Sequence, residues 1–195
     1  MKAIRYMKAI CVICGSNAGR DSRYAAVASE LGRELASRGM TLVYGGAGVG
    51  LMGEVADATL DAGGEAIGII TAPLAEKVGH PRVQVETVAT LHERKQRFSE
   101  LADAYIALPG GFGTLDELFE SITWNQLGIH ERPTGLLNVA GFYDPLMDFL
   151  RRVSEQGFVR QQHLASVLVG DAPKELLGAL QRWTPPDPNK WKTDD

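Results

Sequence analysis

The residues best suited to chemistry lie in "LPGGFGTLDELFE", residues 108–120. An apolar segment runs into a proline, three glycines and a threonine, then into an acidic, helix-like pattern. "VYGGAGVGLMG", residues 43–53, repeats the design of strand, glycine cluster and helix start. Free amides at a helix N-terminus, with the helix dipole, favour an anion. Glycine lets the backbone approach that anion closely. One such turn also serves tight packing, but two in a chain of this size point to a phosphate-bearing ligand. Gly48, Gly50 and Gly53 fit the dinucleotide spacing G-x-G-x-x-G. That match follows the second strand, and the next strand, "EAIGIIT", ends without an acid for a ribose hydroxyl, so NAD is not expected. No G-K-[ST] follows either cluster, which sets aside a P-loop nucleoside triphosphatase.

Two charged residues stand beside these turns. Glu117 follows Thr114 by three positions. That spacing fits a capping box, with Thr114 as the cap and Glu117 reaching back to its amide. It fits equally a carboxylate acting on the sugar of a bound phosphate ester. Arg94 lies in "TLHERKQRFSELADAY", a helix with its own cap in Thr90 and Glu93. The apolar stripe there is Leu91, Phe98, Leu101, Ala102 and Tyr105, and at helical period Arg94 falls inside it, with Lys95 at its edge. A buried guanidinium needs an anionic partner. An internal Asp or Glu and a bound phosphate are both compatible with that position.

The elements that must hold these residues alternate along the chain. Strands are expected in "MKAICVIC", "TLVYGG", "EAIGII", "AYIAL", "TGLLNV" and "SVLVG". Helices are expected over 22–38, 51–64, 91–103, 115–127, 143–155 and 173–183, while 72–89 shows no clear period. Short apolar strands alternating with amphipathic helices imply an α/β fold: a Rossmann-like, doubly wound parallel sheet with helices on both faces. Ligands of such sheets bind outside the carboxyl ends of the strands, where both glycine turns fall. A single nucleotide-binding domain over 7–183 is expected, followed by a loose, proline-rich tail at 184–195. Residues 1–6, which "MKAI" at Met7 echoes, are set apart from the fold. Phe119, Trp124 and Leu127, at helical spacing, are expected in the core.

Composition narrows the function classes. The chain has 195 residues and a net charge of −4, with acids and bases interspersed. No basic stripe suggests nucleic acid, and no apolar run suggests a membrane span or a signal peptide, so a cytoplasmic protein is expected. Cys11 and Cys14 form a C-x-x-C inside a strand, where positions i and i+3 face opposite sides. They read as two ordinary buried cysteines. His80, His92, His130 and His163 lack metal-ligand spacing, and no metal site is expected.

"PGGFGTLDE" matches P-G-G-x-G-T-x-x-E, with "ERK" upstream at the usual distance and "GGAGVGLMG" as the first glycine turn. Together these motifs resemble the LONELY GUY (LOG) family of phosphoribohydrolases, often labelled putative lysine decarboxylases. The resemblance runs from about residue 7 to 183, and Leu91 stands where methionine is frequent. It implies cleavage of a nucleoside 5'-monophosphate, either AMP or an N6-modified adenosine monophosphate, to free base and ribose 5-phosphate. It implies a nucleotide as the small-molecule partner, a homodimer, and no metal or organic cofactor. Carried over by motif, Arg94 and Glu117 would be the catalytic pair. Glu76, Lys95, Gly110, Gly111, Phe112, Gly113, Thr114 and Thr123 would line the substrate site, with Gly15, Ser16, Gly46 and Gly53 placed beside them by their loops. Two rivals differ in chemistry. A lysine decarboxylase would need pyridoxal phosphate and a Schiff-base lysine. A non-enzymatic carrier of the same fold, such as a molybdenum-cofactor carrier, would use the turns for binding alone.

Overall fold

The computed structural model describes residues 5–186. Its seven strands are β1 (Ala9–Ile13), β2 (Thr41–Tyr44), β3 (Ala66–Thr71), β4 (Gln84–Val88), β5 (Ala104–Ala107), β6 (Thr134–Leu137) and β7 (Val167–Gly170). They form one sheet in the order β4-β3-β2-β1-β5-β6-β7, parallel at every pairing. The chain direction across the sheet reverses between β1 and β5, and the loops leaving those two strands meet there. The helices are α1 (Ser22–Ser37), α2 (Gly50–Asp61), α3 (Ala72–Val78), α4 (Leu91–Leu101), α5 (Phe112–Gln126), α6 (Asp144–Glu155), α7 (Gln161–Ala165) and α8 (Pro173–Arg182).

The sheet separates two apolar layers. One contains Leu31 and Leu35 of α1, Val55 of α2 and Leu177 of α8. The other contains Phe98 of α4, Leu118 of α5 and Tyr143 before α6. Cys11 belongs to the second layer and Cys14 to the first, as the strand period requires, and both are free thiols. Burial pushes both thiols well above their ordinary range.

Four sequence expectations are corrected. Residues 72–89 hold α3 and β4, both short. No residue of α3 is buried, and β4 lies at the edge of the sheet with Gln84 exposed, so neither carries a strong apolar period. α5 begins at Phe112 rather than Leu115, and its N-cap is Gly111, which makes no side-chain capping bond. Thr114 is therefore inside the helix, and the Thr114–Glu117 capping box does not form. Phe119 and Leu127 are exposed and Trp124 is only partly buried. The buried face of α5 is Thr114, Leu118, Ser121 and Asn125. Its polar members are bonded inside: Ser121 Oγ to the Leu118 carbonyl at 2.8 Å, and Asn125 Nδ2 to the Arg132 carbonyl at 2.9 Å. Finally, Arg5 joins the fold, since its amide donates to the Gln181 carbonyl at 2.8 Å and its guanidinium stands 5.8 Å over the Trp183 ring. Of the tail expected to be loose, residues 187–195 lie outside the described residues.

Candidate active site

α4 starts as its sequence predicts. Thr90 Oγ1 accepts from the Glu93 amide at 3.1 Å, and Glu93 accepts from the Ala89 amide at 2.9 Å. Arg94 follows in the first turn, and the apolar stripe carries it toward the carboxyl end of β3. Its Nε donates to the Ile69 carbonyl at 2.9 Å. Its guanidinium lies 5.1 Å over the Phe98 ring, one helical turn on. Its Nη1 reaches Glu117 Oε1 of α5 at 3.3 Å, and the two side chains are only 13% and 12% exposed. Arg94 thus has an internal carboxylate partner, and that partner is the second singled-out residue.

Glu117 lies one and a half turns inside α5, too far from the helix start to cap it. Burial pushes its carboxyl above the ordinary carboxylate range, and Arg94 pulls it partway back. Lys95, also 13% exposed, sits between Asp116 Oδ2 at 3.1 Å and Glu120 Oε1 at 3.0 Å. Its desolvation is outweighed by those two carboxylates, which raise its pKa. Two layers of ion pairs therefore tie α4 to α5, one buried and one facing Asp116.

The glycine turns converge from the other side of the sheet's switch point. The Gly15 amide donates to the Pro109 carbonyl at 3.1 Å, and the Leu51 amide at the start of α2 donates to the Gly15 carbonyl at 3.1 Å. These bonds bring three loops together. A Cβ on Gly110 would stand 2.1 Å from Thr114 Oγ1 and 2.9 Å from the Gly15 amide nitrogen, so no side chain fits there. Gly15, Ser16, Leu51, Pro109, Gly110 and Gly111 border a pocket of about 220 Å³. A cavity of about 540 Å³ lies elsewhere, lined by Arg23, Asn138, Ala140 and Asp144, and touches none of the residues singled out above. The residues of the second glycine turn and of the loop after β1 border the smaller one.

Gly46 has φ +75°, and its carbonyl accepts from the His80 amide at 2.9 Å. The Gly48 amide donates to the Val78 carbonyl at 2.8 Å, so the segment after α3 straps the first glycine turn. Gly53 packs its α-carbon against Gly48, where a Cβ would come within 2.9 Å of backbone.

The sequence-predicted residues thus fall into groups. Arg94 pairs with Glu117, while Lys95, next to Arg94 on α4, pairs with Asp116 and Glu120 instead. Gly15, Ser16, Gly110 and Gly111 border the pocket, and Gly46 and Gly53 shape the neighbouring turn. Phe112 and Gly113 form the first turn of α5, and Phe112 is 93% exposed. Thr114 is buried beneath Gly110. Thr123 and Glu76 are exposed on α5 and α3 and join neither group. Neither Arg94 nor Glu117 lines the 220 Å³ pocket. Sequence reasoning missed Ile69, whose role is a backbone carbonyl, and Gly45. A Cβ on Gly45 would stand 2.3 Å from Arg94 Nη2 and 2.7 Å from Met52 Sδ.

The family described as "Possible lysine decarboxylase" matches residues 52–180. The chain is 47% identical over 178 residues to the cytokinin riboside 5'-monophosphate phosphoribohydrolase LOG of Oryza sativa subsp. japonica, covering 90% of this chain and 74% of the rice protein. It is 46% identical to the cytokinin riboside 5'-monophosphate phosphoribohydrolase LOG3 of Arabidopsis thaliana, covering 90% of this chain and 83% of that protein. Among solved structures, a molybdenum cofactor binding protein from Rippkaea orientalis superposes with a TM-score of 0.68 at 22% identity, over 88% of this chain and 94% of that one. The Moco carrier protein of Chlamydomonas reinhardtii gives 0.69 at 20% identity, over 91% and 97%. Likeness at that identity shows the shared fold.

Proposed function

The chain belongs to the LONELY GUY family of phosphoribohydrolases, and from that membership we propose that it hydrolyses the N-glycosidic bond of purine nucleoside 5'-monophosphates. The products are the free base and ribose 5-phosphate, and the substrates are AMP or an N6-modified adenosine monophosphate, as in cytokinin activation. The observation that carries the reading is the buried Arg94–Glu117 pair at 3.3 Å, beside a helix start built of glycine.

The reaction breaks C1'–N9 and joins a water oxygen to C1'. The base leaves with the bonding pair and gains a proton. Positive charge builds on the ribose ring as the base departs, as in other glycoside hydrolyses. A preorganised carboxylate stabilises that charge without reorganising. Glu117 is that carboxylate, and Arg94 orients it and offsets part of the effect of burial on its ionised form. The amides of the two glycine turns grip the 5'-phosphate and fix C1' relative to Glu117.

Lys95 argues against amine chemistry. A Schiff-base lysine needs a lowered pKa, whereas Asp116 and Glu120 raise that of Lys95 and hold it as an ammonium. Its better use is charge balance around Glu117 and contact with the nucleotide.

We further infer a homodimer in the cytoplasm. α5 leaves Phe112 and Phe119 exposed, and Leu127 and Ile129 just after it are exposed too, an apolar surface that a second copy would cover.

The test is incubation with a panel of nucleotides and their nucleosides, with free base and ribose 5-phosphate as the readout. Cleavage of monophosphates and not of nucleosides is expected, because a nucleoside cannot use the anion-binding energy of the glycine turns. Comparable turnover of AMP and adenosine would remove the phosphate anchor from the account.

A further inference from the structure

We propose that Gly45 is a positioning residue: its missing side chain opens the slot in which the Arg94 guanidinium sits, and so sets the geometry of the Arg94–Glu117 pair. This deepens the reading above and rests on it for the catalytic consequence.

The slot has four walls. The Ile69 carbonyl fixes Nε at 2.9 Å, the Phe98 ring lies 5.1 Å beneath the plane, and Glu117 takes Nη1 at 3.3 Å. The fourth wall is the end of β2, where Nη2 comes within 2.3 Å of the place a Gly45 Cβ would occupy. Heavy atoms do not approach so closely, so even alanine displaces the guanidinium. Met52 Sδ, 2.7 Å from the same point, is the far end of a flexible side chain and can move aside. Arg94 cannot do so freely, because its Nε is bonded to the Ile69 carbonyl and any shift of the planar group also changes the distance of Nη1 from Glu117. Gly45 is not among the glycines with positive φ, so the backbone there does not itself require glycine. The conformation tolerates a side chain; the arginine does not.

The consequence is a link between the two halves of the site. The turn that begins at Gly45 leads into the α2 start, while Arg94 governs the carboxylate on α5. Displacing Arg94 leaves Glu117 buried without its cation, and its carboxyl rises further. Turnover then falls through geometry and through protonation.

The experiment is a double-mutant cycle of Gly45→Ala and Arg94→Ala, read first by thermal unfolding and then by turnover of AMP. Gly45→Ala alone is expected to lower the Tm and to cut kcat by roughly a hundredfold, the scale of a misplaced catalytic group. In the Arg94→Ala background the same substitution is expected to leave both Tm and residual kcat unchanged, because the space it fills is then vacant. A Gly45→Ala protein that fails to fold while the double variant folds supports the proposal equally. Equal loss of Tm in both backgrounds, failure of both to fold, or undiminished kcat in Gly45→Ala overturns it. The unfolding arm decides the matter even if the wild-type protein cleaves no nucleotide, so failure of the positioning role is separable from failure of the proposed reaction.

Discussion

Arg94 of α4 and Glu117 of α5 meet at 3.3 Å across the gap between two helices, with only 13% and 12% of their side chains exposed. Neither residue caps its own helix. Burying a charge pair costs more than it usually returns in stability, so its presence here fits a role in chemistry better than a role in folding. The raised carboxyl of Glu117 agrees: burial disfavours the ionised form that the proposed reaction requires.

The pH dependence follows from that direction. In the proposed reaction Glu117 acts as a carboxylate, so kcat is expected to fall as pH drops through its pKa, and that pKa lies above the ordinary 4.5. The folded state also binds this proton more tightly than the unfolded chain does. Stability from Glu117 is thus fully present below 4.5 and is lost as pH rises through the raised folded value. The acidic limb of kcat, measured at saturating AMP, should report an apparent pKa above 4.5. A limb at or below 4.5 would contradict the assignment.

His130 supplies a stability change of opposite sign. It is buried between Tyr105 and Trp124, with ring centroids 5.9 and 6.1 Å away, and its Nδ1 accepts from the Arg132 amide at 3.2 Å. Protonation would lose that bond and place a second cation beside Arg132. Burial, with Arg132 adding to it, lowers the pKa to about 4 from 6.5. The folded state therefore binds this proton less tightly, and its stability contribution is lost as pH falls from 6.5 toward 4, by up to roughly 3 kcal/mol. Denaturant titrations should show a shallower fall over that window in His130→Gln than in the wild type. Parallel slopes would contradict the neutral buried ring.

The apolar residues left exposed on and just after α5 predict the assembly. Light scattering at micromolar concentration should give about twice the 21.1 kDa chain mass. Glu substituted at Phe119 or Ile129, which is 62% exposed, should shift the mass toward one chain without unfolding it. A monomeric wild type with full activity would contradict the dimer.

Much of this arrangement was legible in the sequence. Cys11 and Cys14 face opposite layers because strand period is invariant, and Arg94 lies in the apolar stripe because helical period places it there. Sequence pattern places the start of α5 three residues late. Phe112 and Gly113 have weak helix propensity, and the contact of Gly110 with Thr114 and the first loop sets the boundary instead. That single shift is what removes the capping box. α3 and β4 escaped notice because an exposed seven-residue helix and a half-exposed edge strand carry little periodic signal. Phe119 and Leu127 were misplaced because apolar residues at helical spacing look alike whether they face a sheet or solvent. Gly45 offered no signal at all, since nothing local says what an absent Cβ leaves room for.

The most direct test of the account is Glu117→Gln, assayed for AMP turnover, thermal stability and nucleotide binding together. Gln keeps the shape and a hydrogen-bond acceptor for Arg94 while removing the charge that a developing oxocarbenium needs. The account predicts a protein that folds with a lowered unfolding temperature, because Gln leaves the buried Arg94 guanidinium without its anion. It predicts retained binding, because the glycine amides are untouched. It predicts turnover lower by roughly a hundredfold or more, the scale of losing one electrostatic stabiliser. Near-wild-type turnover of every cleavable monophosphate by Glu117→Gln would contradict it.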